Sequence, residues 1–357
     1  MASYMRMFRY ISQLYLKHFM IIAFALALFF AGLDYMQHAA KLSGFNIKIL
    51  YLFYKGSYSF NLLFPIALVL SMIVSKMTLI RSNALVSFYA LGYSKKAVLW
   101  PFFLVSLLLT LFYIGMHFTS FVNAEISAKQ LLRGKNSHSV THNIFVKYNN
   151  SFIYISEIIP SRKLAKEIRI YRILPDRELE IIYGPRAVFD GKGWVVEQAR
   201  VIKKPNAREL SGRGLVVEKK PRVRTLEGFK PKILTSVFEG VKTYAIQDAF
   251  EAMRLLEKEH LQNKKVKAAL YHMIATPFFA VFLVVIFFLT IPPHARSANL
   301  MWTSFTLVGI TLFVWGIFYL LYRISLSGVI MPEFGILVPV ALLGLVAIHS
   351  YIFRTNR

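Results

Sequence analysis

Six stretches of this sequence are long and apolar enough to cross a bilayer: residues 19–36, 56–75, 97–120, 268–292, 300–322 and 334–353. About 20 apolar residues in a helix span the hydrocarbon core, where the backbone must satisfy its own polar groups. Few folds remain open to such a chain. The sequence predicts an α-helical polytopic membrane protein with six transmembrane helices, three on each side of a long insertion. A mean hydropathy of +0.50 agrees. The first stretch follows Arg6, Arg9 and Lys17, as a signal peptide would. It is long for that role and lacks a small-x-small cleavage site, so it is read as a retained span.

Charge marks the insertion. Residues 125–267 hold 29 of the 43 Lys and Arg and 16 of the 18 Asp and Glu, leaving only Asp34 and Glu333 as acids elsewhere. Inside the insertion the apolar period changes to two, in NIFVKY (143–148), SFIYISE (151–157), EIRIYRI (167–173), ELEIIYG (178–184), GWVVEQARVI (193–202) and RGLVVEKK (213–220). Turn-like NN, LPD, DGKG and KKPNA separate them. These are short strands of an all-β sandwich or open jellyroll-like domain. The expected order is spans one to three in 1–124, a β domain in 125–244, a helical connector in 245–267 and spans four to six in 268–357. Flanking positive charge orients the chain. With the N-terminus inside, the inner pieces carry Arg6, Arg9, Lys17, Lys76, Arg81, Lys95, Lys96, Arg296, Arg354 and Arg357, and the short outer loops only Lys41, Lys48, Lys55 and Arg323. Both termini are therefore expected in the cytoplasm and the β domain outside.

Catalytic signatures are missing. The sequence has no G-x-x-x-x-G-K-[ST] phosphate loop, no H-E-x-x-H, no G-x-S-x-G and no cysteine. His138 and His142 are close in a polar linker, a chance pair rather than a metal site. Asp34 sits at the outer end of span one, an interfacial residue or the partner of a nearby lysine; His117 and His272 lie near span ends. Pro65, Pro101 and Pro277 kink or start helices. No cofactor or metal is expected. The net charge of +25 accompanies membrane spans, so anionic lipid, not nucleic acid, is the expected partner.

Between spans two and three lies RSNALVSFYALGYSKKAVLWP (81–101). Leu85, Phe88, Tyr89 and Gly92 are spaced i, i+3, i+4, i+7, on one side of a short helix at about 81–92. An exposed Phe88 alone would forgo about 1.5–3 kcal/mol of burial. Either the helix lies on lipid headgroups or another protein covers it.

The same stretch carries a family resemblance. Ala90-Leu91-Gly92-Tyr93-Ser94 is similar to the A-x-G-[hydrophobic]-[S/T] ending of the helix between spans two and three in lipopolysaccharide export permeases of the LptF/LptG family. The connector and fourth span with Pro277, and the MPEFG break (331–335) before span six, resemble that family too, the break being closer to LptG. Asn83 and Ala84 stand where the family usually has a Ser-Glu pair. The resemblance implies a non-catalytic permease subunit in a bacterial inner membrane. Its implied partners are a cytoplasmic ABC ATPase dimer, a second LptF/LptG-type permease and a periplasmic jellyroll partner like LptC or LptA. Lipopolysaccharide is the implied substrate, and Leu85, Phe88, Tyr89 and Gly92 would couple the chain to the ATPase. Lys41, Lys48, Lys55 and Arg323, the outer cations, would meet lipid phosphates or serve generic headgroup contact. A membrane scaffold that moves nothing is the alternative class; a lipid-modifying enzyme is disfavoured by the lack of carboxylates in the spans.

Overall fold

A computed structural model describes residues 2–133, 141–148, 151–159, 162–174, 179–204, 214–227, 245–247, 249–250, 253–254, 263–292 and 299–355. His138 and about half of the connector lie outside the described residues. The chain divides into two compact units.

The helical unit holds α1 (Ala2–His38), α2 (Phe45–Arg81), α3 (Ala84–Ala90), α4 (Lys95–Met116) and α5 (Ala124–Arg133). After the insertion come α6 (Lys264–Ile274), α7 (Phe278–Thr290), α8 (Leu300–Ser327) and α9 (Val338–Thr355). Six helices, with α6 and α7 forming one broken span, are long and apolar enough to cross a membrane. The break falls at Ala275–Pro277, where the proline ring and missing N–H interrupt the helix. α2 is the central helix: 83% of its most apolar stretch is buried, against 22% for α1 and 17% for α8. α1 meets it through one narrow stripe, Met7, Ile11, Tyr15, Phe19, Ala23, Ala27 and Ala31, spaced every four residues. Alanines along the later turns let the two backbones approach closely, as membrane helix pairs require. α7 packs against α2, α4 and α9. The break before α9 is a turn of π-helix, Glu333–Leu337, following Gly328, the left-handed cap of α8.

The β unit is a six-stranded antiparallel sheet, β1 (Thr141–Tyr148), β2 (Ser151–Ile159), β3 (Leu164–Ile173), β4 (Leu179–Phe189), β5 (Trp194–Lys204) and β6 (Val216–Thr225). All six expected strands are present. Among the described residues each strand pairs with its sequence neighbour in the order β1-β2-β3-β4-β5-β6, a meander with simpler connections than a jellyroll's Greek keys. One face is buried around Trp194, Ile153, Ile155, Ile168, Ile170 and Val196.

A transverse line interrupts every ladder of this sheet. The register sets Asn143, Ser156, Glu167, Pro185, Gln198 and Pro221 beside one another across the six strands, and each is skipped in the pairing. Asn143, Glu167 and Gln198 have φ of 54°, 50° and 51°, a region that side chains other than Asn rarely adopt. The prolines fall on the alternate strands, where a missing N–H costs no ladder bond. Buried positions step by three at this line, from Ile155 to Ile158, Ala165 to Ile168 and Val196 to Ala199. The simple alternation seen in the sequence therefore changes phase midway along β2, β3, β4 and β5, and these strands stay in register because all change at one level.

Candidate functional site

α3 is a seven-residue helix tied tightly at both ends. Ser82 and Asn83 turn the chain out of α2, their N–H groups reaching Thr78 O at 3.0 Å and Ile80 O at 3.1 Å. Asn83 takes the left-handed conformation, φ 57°, which asparagine tolerates better than most residues. At the other end Gly92, φ +86°, is the left-handed residue of a Schellman cap. Tyr93 N–H donates to Phe88 O at 3.1 Å and Gly92 N–H to Tyr89 O at 3.0 Å. The accompanying apolar contact is the edge-on packing of Tyr93 against Phe88, ring centres 6.3 Å apart. Ser94 then caps α4, its Oγ accepting from Ala97 N–H at 3.2 Å. The A-x-G-[hydrophobic]-[S/T] pattern thus has a physical basis. Its glycine ends one helix, its hydrophobic residue seals the end, and its hydroxyl starts the next helix.

The apolar side of α3 faces inward, which corrects the expectation that it is exposed. Leu85 is fully buried, and Phe88 and Tyr89 pack half-buried on the same core as α1, α2 and α4. Tyr10 of α1 meets Phe88 edge-on at 6.3 Å, and Tyr4 lies 6.4 Å from Tyr93. What α3 offers outward is Val86, Ser87, Ala90 and Leu91, the last 73% exposed. Helical spacing identified the residues that share a side, while the bundle decides that this side is the inner one.

The outer cations differ among themselves. Lys41 is exposed and Lys48 half-buried, in the turn after α1 and the first turn of α2. Lys55 is held: its Nζ donates to Asp34 Oδ1 at 2.9 Å and lies 5.5 Å from the centre of the Tyr58 ring. Tyr51 donates to the other Asp34 oxygen, and His38 Nδ1 is 3.5 Å from it. Asp34 is therefore the paired residue the sequence allowed for, and the charge of Lys55 is largely answered within the chain. Arg323 is exposed on a different helix, α8. The two candidate histidines are packing residues: His117 Nδ1 is 3.0 Å from Tyr113 O, and His272 stacks on Tyr322 at 3.7 Å and meets Thr276 Oγ1 at 3.1 Å.

Lipopolysaccharide export system permease LptF/LptG is the description of a family model that matches residues 9–354. The chain belongs to the LptF/LptG family. A search of curated proteins returned no match. As a family member it is a multi-pass inner-membrane permease of lipopolysaccharide export and a transporter subunit, not an enzyme. LptF/LptG membership also places it in partnership within the Lpt ABC transporter.

One residue was misassigned by sequence reasoning. Lys76, counted there among the surface cations flanking the spans, is 2% exposed. Its signal was available: in MIVSKMTLI (72–80) the lysine has apolar residues on both sides and lies a full turn before Arg81.

Proposed function

We propose that this LptF/LptG permease is driven by a separate cytoplasmic ATPase that docks on α3. In this reading both termini and α3 are cytoplasmic and the β domain periplasmic. A second permease of the family completes the complex. Lipopolysaccharide enters from the membrane, its acyl chains against the apolar faces of α1 and α8 and its phosphates near Lys41, Lys48 and Arg323. Lys55 acts there indirectly, by holding Asp34. The lipid then passes to the β domain and on to a periplasmic jellyroll partner, which pairs with the edge strand β1 or β6. Expulsion requires that the nucleotide-bound state hold the lipid less tightly than the resting state.

The observation that carries the reading is the fastening of α3. A helix joined to α2 through one left-handed turn and to α4 through a Schellman cap and a serine cap has no slack, so a push on it moves both spans. Leu85, Phe88, Tyr89 and Gly92 give the helix its seat and its end, and Val86, Ser87, Ala90 and Leu91 form the contact. The departure at Asn83 and Ala84 leaves this contact without the family's usual glutamate.

Purification of the tagged chain from its native membrane tests this. An ATPase is expected to accompany the native chain and to be lost from Val86→Asp/Leu91→Asp, which still inserts and remains monodisperse. An ATPase retained by that variant, or absent from the native preparation, would sink the reading in favour of a membrane scaffold.

A further inference from the structure

Lys76 is a buried lysine without a carboxylate partner among the described residues. Its Nζ donates to Phe288 O and, at 2.7 Å, to Ile291 O, and it lies 4.3 Å from the centre of the Phe288 ring. These acceptors are the C-terminal end of α7 and its cap residue. A helix leaves its last carbonyls without intrahelical donors and carries partial negative charge there. The lysine answers both needs. On the preceding residue α2 grips α1: Ser75 Oγ is 2.8 Å from His18 Nδ1 and donates to Ser71 O at 2.6 Å.

Lys76 therefore joins the end of α2 that continues into α3 to the end of α7. Between Lys76 and Asn83 the helix is fixed by buried Met77, Leu79 and Ile80. The joint is also conditional. A buried amine is costly unless its donors are used, and among the described residues its hydrogen-bond acceptors are the carbonyls of α7. If α7 withdraws, the lysine must follow it or be left unsatisfied.

Building on the proposed docking at α3, we propose that Lys76 is a positioning residue for lipid export, the strut through which displacement of α3 is transmitted to α7. α2 supplies the lever, the Lys76 side chain the joint, and the α7 terminus the moved part.

Two readouts test the strut. The first uses the chain alone, which has no cysteine. Spin labels at Arg81→Cys and Thr290→Cys report the spacing of the two helix ends. A single narrow distance distribution is expected with Lys76, a broad one with Lys76→Met, and recovery of the narrow one with Lys76→Arg. The second uses the complex with its co-purified ATPase in lipopolysaccharide-loaded vesicles. Lys76→Met is expected to keep ATPase binding and ATP hydrolysis while lipid released per ATP falls about tenfold, the size of a typical coupling term. Lys76→Arg should restore part of that ratio. A lysine that merely fills space would lower hydrolysis and release together, in proportion to folded protein, and that result overturns the proposal. So does an unchanged distance distribution in Lys76→Met. If the native chain brings down no ATPase, the docking reading fails by itself, and the distance distribution still decides whether Lys76 joins α2 to α7.

Discussion

On α1, Phe24, Leu28 and Phe30 face outward while Ala23, Ala27 and Ala31 are buried. On β3 the outward residues are Lys166, Glu167 and Arg169, and the buried ones Ala165, Ile168 and Ile170. Polarity separates inside from outside in the β unit. In the helical unit it does not, since the surroundings are as apolar as the core. Size and hydrogen bonding decide there instead: small residues where helices meet, and buried Ser75 and Lys76, which bond His18 of α1 and the end of α7, where one helix recognises another. A polar group inside this unit therefore says more about specificity than any leucine does.

The largest expected effect sets two leucines of one short helix against each other. Leu85→Asp places an uncompensated carboxylate in the core and should destabilise the helical unit by about 3–5 kcal/mol. Leu91→Asp, on the outward side, should stay within about 0.5 kcal/mol of the native protein. Thermal unfolding in detergent measures both. Equal losses would mean that α3 is seated differently from its position here.

Next in size is the pairing at the opposite end of α2. Asp34→Asn removes the counter-charge of Lys55, whose side chain is only 12% exposed. The loss should be about 1.5–3 kcal/mol, the range for hydrogen bonds to charged groups. Replacing both residues, as Asp34→Asn/Lys55→Met, should recover part of it, because no buried charge is then left unanswered. A double variant no better than the single one would show that Lys55 finds another partner or water.

These two cases also show where sequence reasoning succeeds and stops. Six spans, six strands and a helix near residue 85 follow from run length and period alone. The inward orientation of Leu85, Phe88 and Tyr89 does not, because a helical stripe defines a side without saying what lies against it. Lys76 reads in the sequence as a flanking charge because positive-charge counting treats lysines near span ends alike. In the β unit two expected strands stop at Gly184 and Lys220, while the observed β4 and β6 run on through Pro185 and Pro221, residues foreign to most paired strands. The line they belong to was not, since Glu167 and Gln198 carry no sequence signature of a positive φ and the register is needed to align them.

That line supplies a smaller test, confined to the β unit. At φ 51°, Gln198→Ile adds a β-branched side chain in a left-handed conformation and should cost about 1–2 kcal/mol. Gln198→Gly should gain about 0.4–1 kcal/mol through relief of the same conformation, less the added freedom of the unfolded chain. Trp194, buried in this unit's core, reports unfolding once Trp100, Trp302 and Trp315 are changed to Phe. Opposite signs for the two substitutions are expected; equal destabilisation would place Gln198 in ordinary extended backbone.

The smallest effect depends on pH and comes from the turn between β4 and β5. Asp190 Oδ1 accepts from Gly193 N–H at 2.8 Å and Lys192 N–H at 2.9 Å, and Oδ2 from Arg224 at 2.5 Å. The Gly193 and Lys192 amides, and then the Arg224 guanidinium, hold its carboxyl below the usual carboxylate range. A depressed folded value means that the unfolded chain takes up the proton first. The contribution is thus complete above the ordinary value of about 4 and is lost as pH falls through the folded one. Asp190→Asn keeps an oxygen for the two amides but cannot titrate. The native β unit should be slightly the more stable at neutral pH, and the gap should close on acidification below about pH 4. Because the carboxylate is open to solvent, salt should narrow the Arg224 part of the gap and leave the backbone part. A gap that persists unchanged into acid would mean that the turn is held by geometry the amide reproduces poorly, and not by charge.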